Sequence, residues 1–217
     1  MASSLTKMTA TDRAYAFTKG RVLDATFPGG ELITEGEVAD ALGLSRTPVR
    51  EAFLRLEGEG LLRLYPKRGA LVVPVSVGEV DAVMETRMLV ERFALDKLLA
   101  GGPQVPIADE LARAIAQQEE YAAAGDTDGF VAVDREFHTI FVTAAGNPIV
   151  TGLYDSLRDR QQRMIITSLL RDIRRMTSIL VEHAALTDAI RAGDVERAQT
   201  VLAAHLRGTL DLVRPGA

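Results

Sequence analysis

From residue 77 onward, apolar residues recur every three to four positions over long stretches, with no alternating strand pattern among them. The spacing predicts helices over 77–100, 105–124, 127–145, 147–170, 172–192 and 194–213. Gly101-Gly102-Pro103, Gly125-Asp126, Gly146-Asn147-Pro148 and Gly193-Asp194 separate them, each a helix-stopping or helix-capping cluster. Ala-Gly-Asp occurs at both 124–126 and 192–194, where the Asp can cap the helix that follows. Residues 76–217 therefore predict an all-α domain, a six-helix bundle.

The first 75 residues have a different texture. Residues 12–26 suit a helix carrying Tyr15, Val22 and Leu23, and Pro28-Gly29-Gly30 ends it. Thr34-Glu35-Gly36-Glu37 reads as a capping box opening a short helix to Leu42, with Gly43 supplying the positive φ that closes it. Ser45 is placed to cap a third helix, which tolerates Pro48 in its first turn and carries Val49, Phe53, Leu54 and Leu56 inward. Leu61–Tyr65 and Ala70–Val73 read as two strands around a Pro66-Lys67-Arg68-Gly69 turn. Helix, helix, turn, helix and hairpin make residues 1–75 a winged helix-turn-helix, and the whole chain mostly α. The segment Val73–Val77, containing Pro74, reads as a hinge.

Composition narrows the function. With 47% hydrophobic residues, the 217-residue chain can pack full cores, and zero cysteines exclude disulfides, thiol nucleophiles and thiolate metal sites. No apolar run approaches the ~20 residues that cross a bilayer. Residues 1–11 carry Lys7 without an apolar core behind it and read as a flexible start, not a signal peptide. A cytoplasmic protein without membrane attachment is expected. The net charge of −5 is uneven, +1 over residues 1–75 and −6 over the rest, which leaves room for a small basic face at one end.

That face has specific candidates. Arg46 and Arg50 lie four apart in the first turn and a half of the third helix, so they share one side. Arginine suits bidentate contact with guanine or phosphate, and the Ser45 and Thr47 hydroxyls lie at a helix N-terminus that favours an anion. Lys67, Arg68 and Gly69 sit in the hairpin turn, where a wing meets DNA. Taken singly, each reads as an ordinary solvated position; together they point to a DNA-binding surface. The run Leu42-Gly43-Leu44-Ser45-Arg46-Thr47-Pro48-Val49-Arg50-Glu51-Ala52, with Leu56-Glu57-Gly58-Glu59-Gly60-Leu61 and Arg68-Gly69, resembles the DNA-binding signature of GntR-type bacterial transcription regulators. The resemblance implies that Arg46, Arg50 and the wing contact operator DNA as a two-fold homodimer. Gly36 stands where some members carry a basic residue, and Phe53 replaces the leucine usual after Arg-Glu-Ala.

The second domain holds all three histidines. Asp134 and His138, four apart, share the stripe of Phe130, Phe137, Phe141 and Ala145. His183 falls among Ile179, Leu186 and Ile190, and His205 lies between Leu202 and Leu212. An ionised Asp facing a core costs several kcal/mol unless paired or metal-bound. One acid and three inward imidazoles resolve that cost by holding a divalent transition ion such as Zn²⁺, Ni²⁺ or Mn²⁺. Any one of these histidines alone reads as a satisfied core or surface residue. The arrangement is similar to the all-α ligand-binding domain of the FadR subfamily, called FCD, whose metal site is one Asp and three His. Glu85-Thr86-Arg87 and Gly146-Asn147-Pro148 match it as well, and the count of six helices resembles the shorter, VanR-like branch.

A small carboxylate effector beside such a metal needs a cationic partner. Arg87 is the first candidate and Arg160 and Arg163 are weaker ones, with surface ion pairs the alternative for each; the Arg171–Arg175 run reads as a solvated turn. The function expected is a transcription regulator and repressor, not an enzyme. A metal-dependent hydrolase or isomerase with an appended DNA-binding domain is the alternative, and no inward Glu or Lys is placed as its general base. A purely structural metal is a third possibility.

Overall fold

The computed structural model describes residues 8–171 and 174–213. The chain divides between Val75 and Ser76 into two compact units.

In the first unit, α1 (Ala10–Leu23), α2 (Glu35–Leu42) and α3 (Arg46–Gly58) pack with a small sheet of β1 (Leu32–Ile33), β2 (Leu62–Tyr65) and β3 (Gly69–Val72). Helix α1 starts two residues earlier than expected because Thr9 and Asp12 form a capping box. It ends earlier because the Asp24 carboxylate accepts the Thr26 N–H at 2.8 Å, turning the backbone away. The Thr34–Glu37 capping box and the left-handed Gly43 (φ 62°) bound α2. Strand β1, too short to carry an alternation signal, escaped prediction; it pairs antiparallel with β3, as does β2, giving the order β1-β3-β2. The core gathers Val22, Ile33, Val38, Val49, Phe53, Leu56, Leu62 and Val72. Leu54, expected inward, is 53% exposed, because a step of one residue rotates it about 100° from Phe53 around α3. Pro74, expected in a hinge, lies against Gly29, where an added Cβ would come within 2.8 Å of the Pro74 Cα.

The second unit contains α4 (Val77–Leu99), α5 (Val105–Ala124), α6 (Thr127–Ala144), α7 (Pro148–Ser156), α8 (Arg158–Arg171), α9 (Arg175–Ala192) and α10 (Val195–Val213). These are seven helices among the described residues, not six. The expected 147–170 helix divides at Leu157, whose N–H turns back to the Tyr154 carbonyl at 3.1 Å. One residue earlier the Ser156 hydroxyl donates to the Leu153 carbonyl at 2.6 Å, a side-chain bond that competes with the helical ladder. Asp126 and Asp194 cap the next helices, accepting from Gly129 and Arg197 N–H at 2.9 and 3.0 Å. Residues 172–173, where the fifth helix was expected to start, lie outside the described residues, as do residues 1–7 of the expected flexible start. Helix α6 runs through the middle of the unit, packed on α4, α5, α7 and α8, and its Phe130, Phe137 and Phe141 are fully buried. Among the described residues no helix is long and apolar enough to cross a membrane.

Neighbouring positions on α3 therefore differ sharply in their energetic role. Phe53→Ala should destabilise the first unit by about 3–5 kcal/mol, whereas Leu54→Ala should cost less than about 0.5 kcal/mol, both read from denaturant unfolding curves.

Candidate metal centre and nucleic-acid interface

The hairpin and helix ends converge at one face of the first unit. Thr34, Gly36, Arg46, Arg50, Lys67 and Arg68 border a cleft of about 770 Å³ between the start of α2, α3 and the wing. Arg46, Thr47, Arg50, Lys67 and Arg68 are all exposed. Ser45 stands at the N-cap of α3 in extended conformation without a side-chain capping bond, which leaves its hydroxyl to other partners. The Arg46 guanidinium lies beside Gly36 at the start of α2, 3.4 Å from where a Cβ would stand. Arg50 is anchored loosely, with Nε 4.0 Å from a Glu35 carboxylate oxygen. At the wing, Lys67 adopts φ +64° and Gly69 φ +105°. A side chain at Gly69 would collide with the Ile33 carbonyl, so the β1 pairing fixes the turn that presents Lys67 and Arg68.

In the second unit, the structure brings His138 of α6, His183 of α9 and His205 of α10 together, fully buried, with ring nitrogens all within 4.8 Å of one another. Asp134, one turn before His138, is buried beside them, its Oδ1 3.6 Å from His183 Nε2. The His138 and His205 Nε2 atoms face each other at 3.2 Å.

Outer partners fix which nitrogen of each ring faces inward. Glu91 of α4 takes His138 Nδ1 at 2.8 Å, Gln118 Oε1 of α5 takes His183 Nδ1 at 2.8 Å, and Glu182 of α9 takes His205 Nδ1 at 2.7 Å. A carboxylate or amide oxygen only accepts, so each Nδ1 carries a proton, and in a neutral ring the inward Nε2 then presents a lone pair. The rings are also held sterically, His183 stacking on Phe137 at 3.8 Å between centroids. Buried atoms here without a hydrogen-bond partner are Asp134 Oδ1, His183 Nε2, the Gln118 amide nitrogen and Arg175 Nε.

Electrostatics keep the outer acids ionised. Burial pushes the Glu91 carboxyl up, but Arg87 (Nε 2.7 Å) and His138 outweigh it and hold Glu91 far below the usual carboxylate range. Tyr154 also donates to Glu91, at 3.0 Å. Burial likewise raises Glu182, and bonds from His205 and Arg175 bring it below its ordinary value. Burial pushes His183 and His205 down, toward the neutral imidazole that binds metals. The inward imidazole nitrogens and the orphaned Asp134 oxygen thus gather at one point, with Arg87 and Arg175 across the adjoining cavity. A divalent cation fits that donor set, and carboxylate and amide partners on the outer nitrogens are the support that metal-bound imidazoles take.

Several expectations change at this site. Arg175, expected in a solvated turn, is buried and grips Glu182 with Nη1 at 2.6 Å and Nη2 at 2.9 Å. An inward glutamate does sit beside the ligands, since Glu91 touches His138; Arg87 and Tyr154 hold it as a fixed carboxylate instead of a free base. Arg87 is no surface ion pair: it is buried on α4 and borders a small cavity with Asp134, Arg175 and His205. Arg160 is half-exposed, 3.4 Å from Glu79, and Arg163 is buried on α8, away from that cavity's lining. The sequence did carry one signal for Glu91, since it lies four residues after Arg87 on the buried stripe of α4. Gln118 offered only its phase with Leu111 and Ala114.

Known proteins share both halves of this architecture. Residues 10–72 match the family model described as bacterial regulatory proteins, gntR family, and residues 82–208 match the FCD domain. An uncharacterized HTH-type transcriptional regulator of Agrobacterium vitis is 31% identical over 136 residues, covering 61% of this chain and 78% of that protein. A protein of Paenarthrobacter nicotinovorans named "Probable D-xylose utilization operon transcriptional repressor" is 28% identical over 206 residues, 95% of this chain and 89% of its own length. Among solved structures, E. coli McbR/YncC superposes with a TM-score of 0.74 at 22% identity, over 95% of this chain and 98% of that one, a likeness of fold. The chain belongs to the gntR family of bacterial regulatory proteins, with an N-terminal GntR helix-turn-helix and a C-terminal FCD domain, and is a DNA-binding transcriptional regulator, not an enzyme.

Proposed function

We propose that this regulator is a cytoplasmic repressor of the FadR subfamily, whose helical domain binds a divalent transition metal and a small carboxylate that together set its affinity for operator DNA. One observation carries the metal: three inward-facing imidazole nitrogens and an orphaned Asp134 oxygen meet in one buried site. Asp134, His138, His183 and His205 would hold the ion. Bound Zn²⁺, Ni²⁺ or Mn²⁺ supplies positive charge and coordination positions for oxygen ligands. Glu91, Gln118 and Glu182 keep the three rings turned inward, so α4, α5 and α9 each have a stake in the site. The placement within FadR goes no further, since the VanR-like branch was suggested by six helices and the bundle has seven.

The effector is drawn to the cavity lined by Arg87, Asp134, Arg175, His205 and Thr209, with Ile165 and Ile179 closing it. Its volume of about 10 Å³ holds about one water. An organic acid therefore enters only if the Ile165 and Ile179 wall moves, and Arg87 and Arg175 provide the cationic side that a carboxylate needs. Such a ligand shifts operator binding only as far as it prefers one arrangement of the homodimer over the other. On DNA, Arg46 and Arg50 read the major groove from the start of α3, Ser45 and Thr47 bind phosphate, and Lys67, Arg68 and Gly69 form the wing contact.

In gel-shift titrations with the protein's operator, Arg50→Ala should weaken binding by about 1–3 kcal/mol, or roughly fivefold or more, with an unchanged melting temperature. Unchanged affinity would remove Arg50 from the interface. By elemental analysis, His183→Ala should lose most of the metal that the wild-type protein retains after purification, and full occupancy in that variant would contradict the ligand assignment.

A further inference from the structure

Two acids border the cleft on the basic face of the first unit. Glu35 lies beside Arg50, whereas Glu57, in the last turn of α3, has no ion pair among the described residues. An acid at that position is disfavoured twice. It adds negative charge to the C-terminal end of a helix dipole, and it faces a cleft that phosphates would approach. Glu57 also lies seven residues after Arg50 and four after Phe53, so it shares their side of α3, and all three border the same cleft.

A hydrogen bond accounts for the acid. Glu57 Oε1 accepts the Leu64 backbone N–H at 2.8 Å. Strand β2 is an edge of the sheet, whose order is β1-β3-β2, so its outward N–H groups have no strand to pair with. Leu64 immediately precedes the turn from Tyr65 to Arg68, which the Arg68 N–H closes by donating to the Tyr65 carbonyl at 3.0 Å. The bond to Glu57 therefore ties the root of the wing to the helix that carries Arg50. The opposite edge is fixed differently, by the Gly69 backbone lying against the Ile33 carbonyl. If Glu57 is removed, water takes the exposed Leu64 N–H at little cost in stability, but the turn loses its nearest bond to α3.

We infer that Glu57 is a positioning residue for DNA binding, clamping the wing to α3 so that Lys67 and Arg68 reach the duplex in register with Arg46 and Arg50. The clamp rests on the operator contacts proposed above and makes no use of the metal.

The sign of one substitution separates this role from that of a plain surface acid. The probe is a duplex that the full-length wild-type chain selects from a random-sequence library, with affinities read by gel shift at one salt concentration. A plain acid would repel phosphate, so its loss would leave binding unchanged or tighten it. A clamp gives the opposite result: Glu57→Ala should weaken binding about threefold or more. Glu57→Gln keeps an acceptor oxygen and drops the charge, and should bind at least as tightly as the wild type. The Glu57→Ala loss should persist in an Arg50→Ala background and vanish in a Lys67→Ala, Arg68→Ala background, where the wing has no charge left to place. Independently of DNA, hydrogen exchange at the Leu64 amide should quicken about threefold or more in Glu57→Ala and stay slow in Glu57→Gln. Unchanged or tighter binding by Glu57→Ala, a Glu57→Gln protein equally weak, an equal loss in the Lys67→Ala, Arg68→Ala background, or unchanged Leu64 exchange would each overturn the clamp. Wild-type affinity in the Lys67→Ala, Arg68→Ala protein itself would contradict the wing contact and the clamp with it, which tells the two failures apart.

Discussion

The second domain is organised around buried lone pairs that cannot satisfy one another. The Nε2 atoms of His138 and His205 meet at 3.2 Å, and His183 Nε2 lies 3.6 Å from Asp134 Oδ1. In a low-dielectric interior such acceptors repel, and a cation among them turns the repulsion into binding. Most of the buried polar chemistry nearby keeps them in that condition. Glu91 and Glu182 accept from outer imidazole nitrogens, and Arg87 and Arg175 neutralise those acids, so the charge is balanced one layer away from the site. Removing one partner of these buried pairs would leave an uncompensated charge, the costly case, so the layer holds together as a unit.

This layering ties the site to the rest of the bundle. The proposed ligands come from α6, α9 and α10, while the residues that orient them come from α4, α5 and α9. Helix α4 has a central place: its buried side carries Arg87 and Glu91 into the site, and its first residue follows the junction between the two units.

Much of this was legible in the sequence because it depends on local periodicity. The Thr34–Glu37 box, Gly43 and the inward phase of Asp134, His138, His183 and His205 all follow from spacing within one element. What was missed depends on packing or on backbone hydrogen bonding. Strand β1 is two residues long and exists because β3 is there to pair with it. The break at Leu157 comes from Ser156 and Leu157 bonding back by three residues, with no glycine or proline to mark it. Glu91 and Gln118 sit 47 and 65 residues from the histidines they orient, and Glu182 is 23 residues from its own, distances over which single-helix phase says nothing. Leu54 shows the reverse case, an apolar residue counted inward whose phase around α3 sends it to solvent.

The central claim is that unprotonated nitrogens from all three histidines and an Asp134 oxygen hold a metal. X-ray absorption at the metal edge, on protein purified without chelators, addresses it most directly. Three imidazole nitrogens, each with Nε2 bound, and oxygen ligands at about 2.0–2.2 Å are the expected first shell. A shell made only of water oxygens, or no bound transition metal at all, would contradict the account.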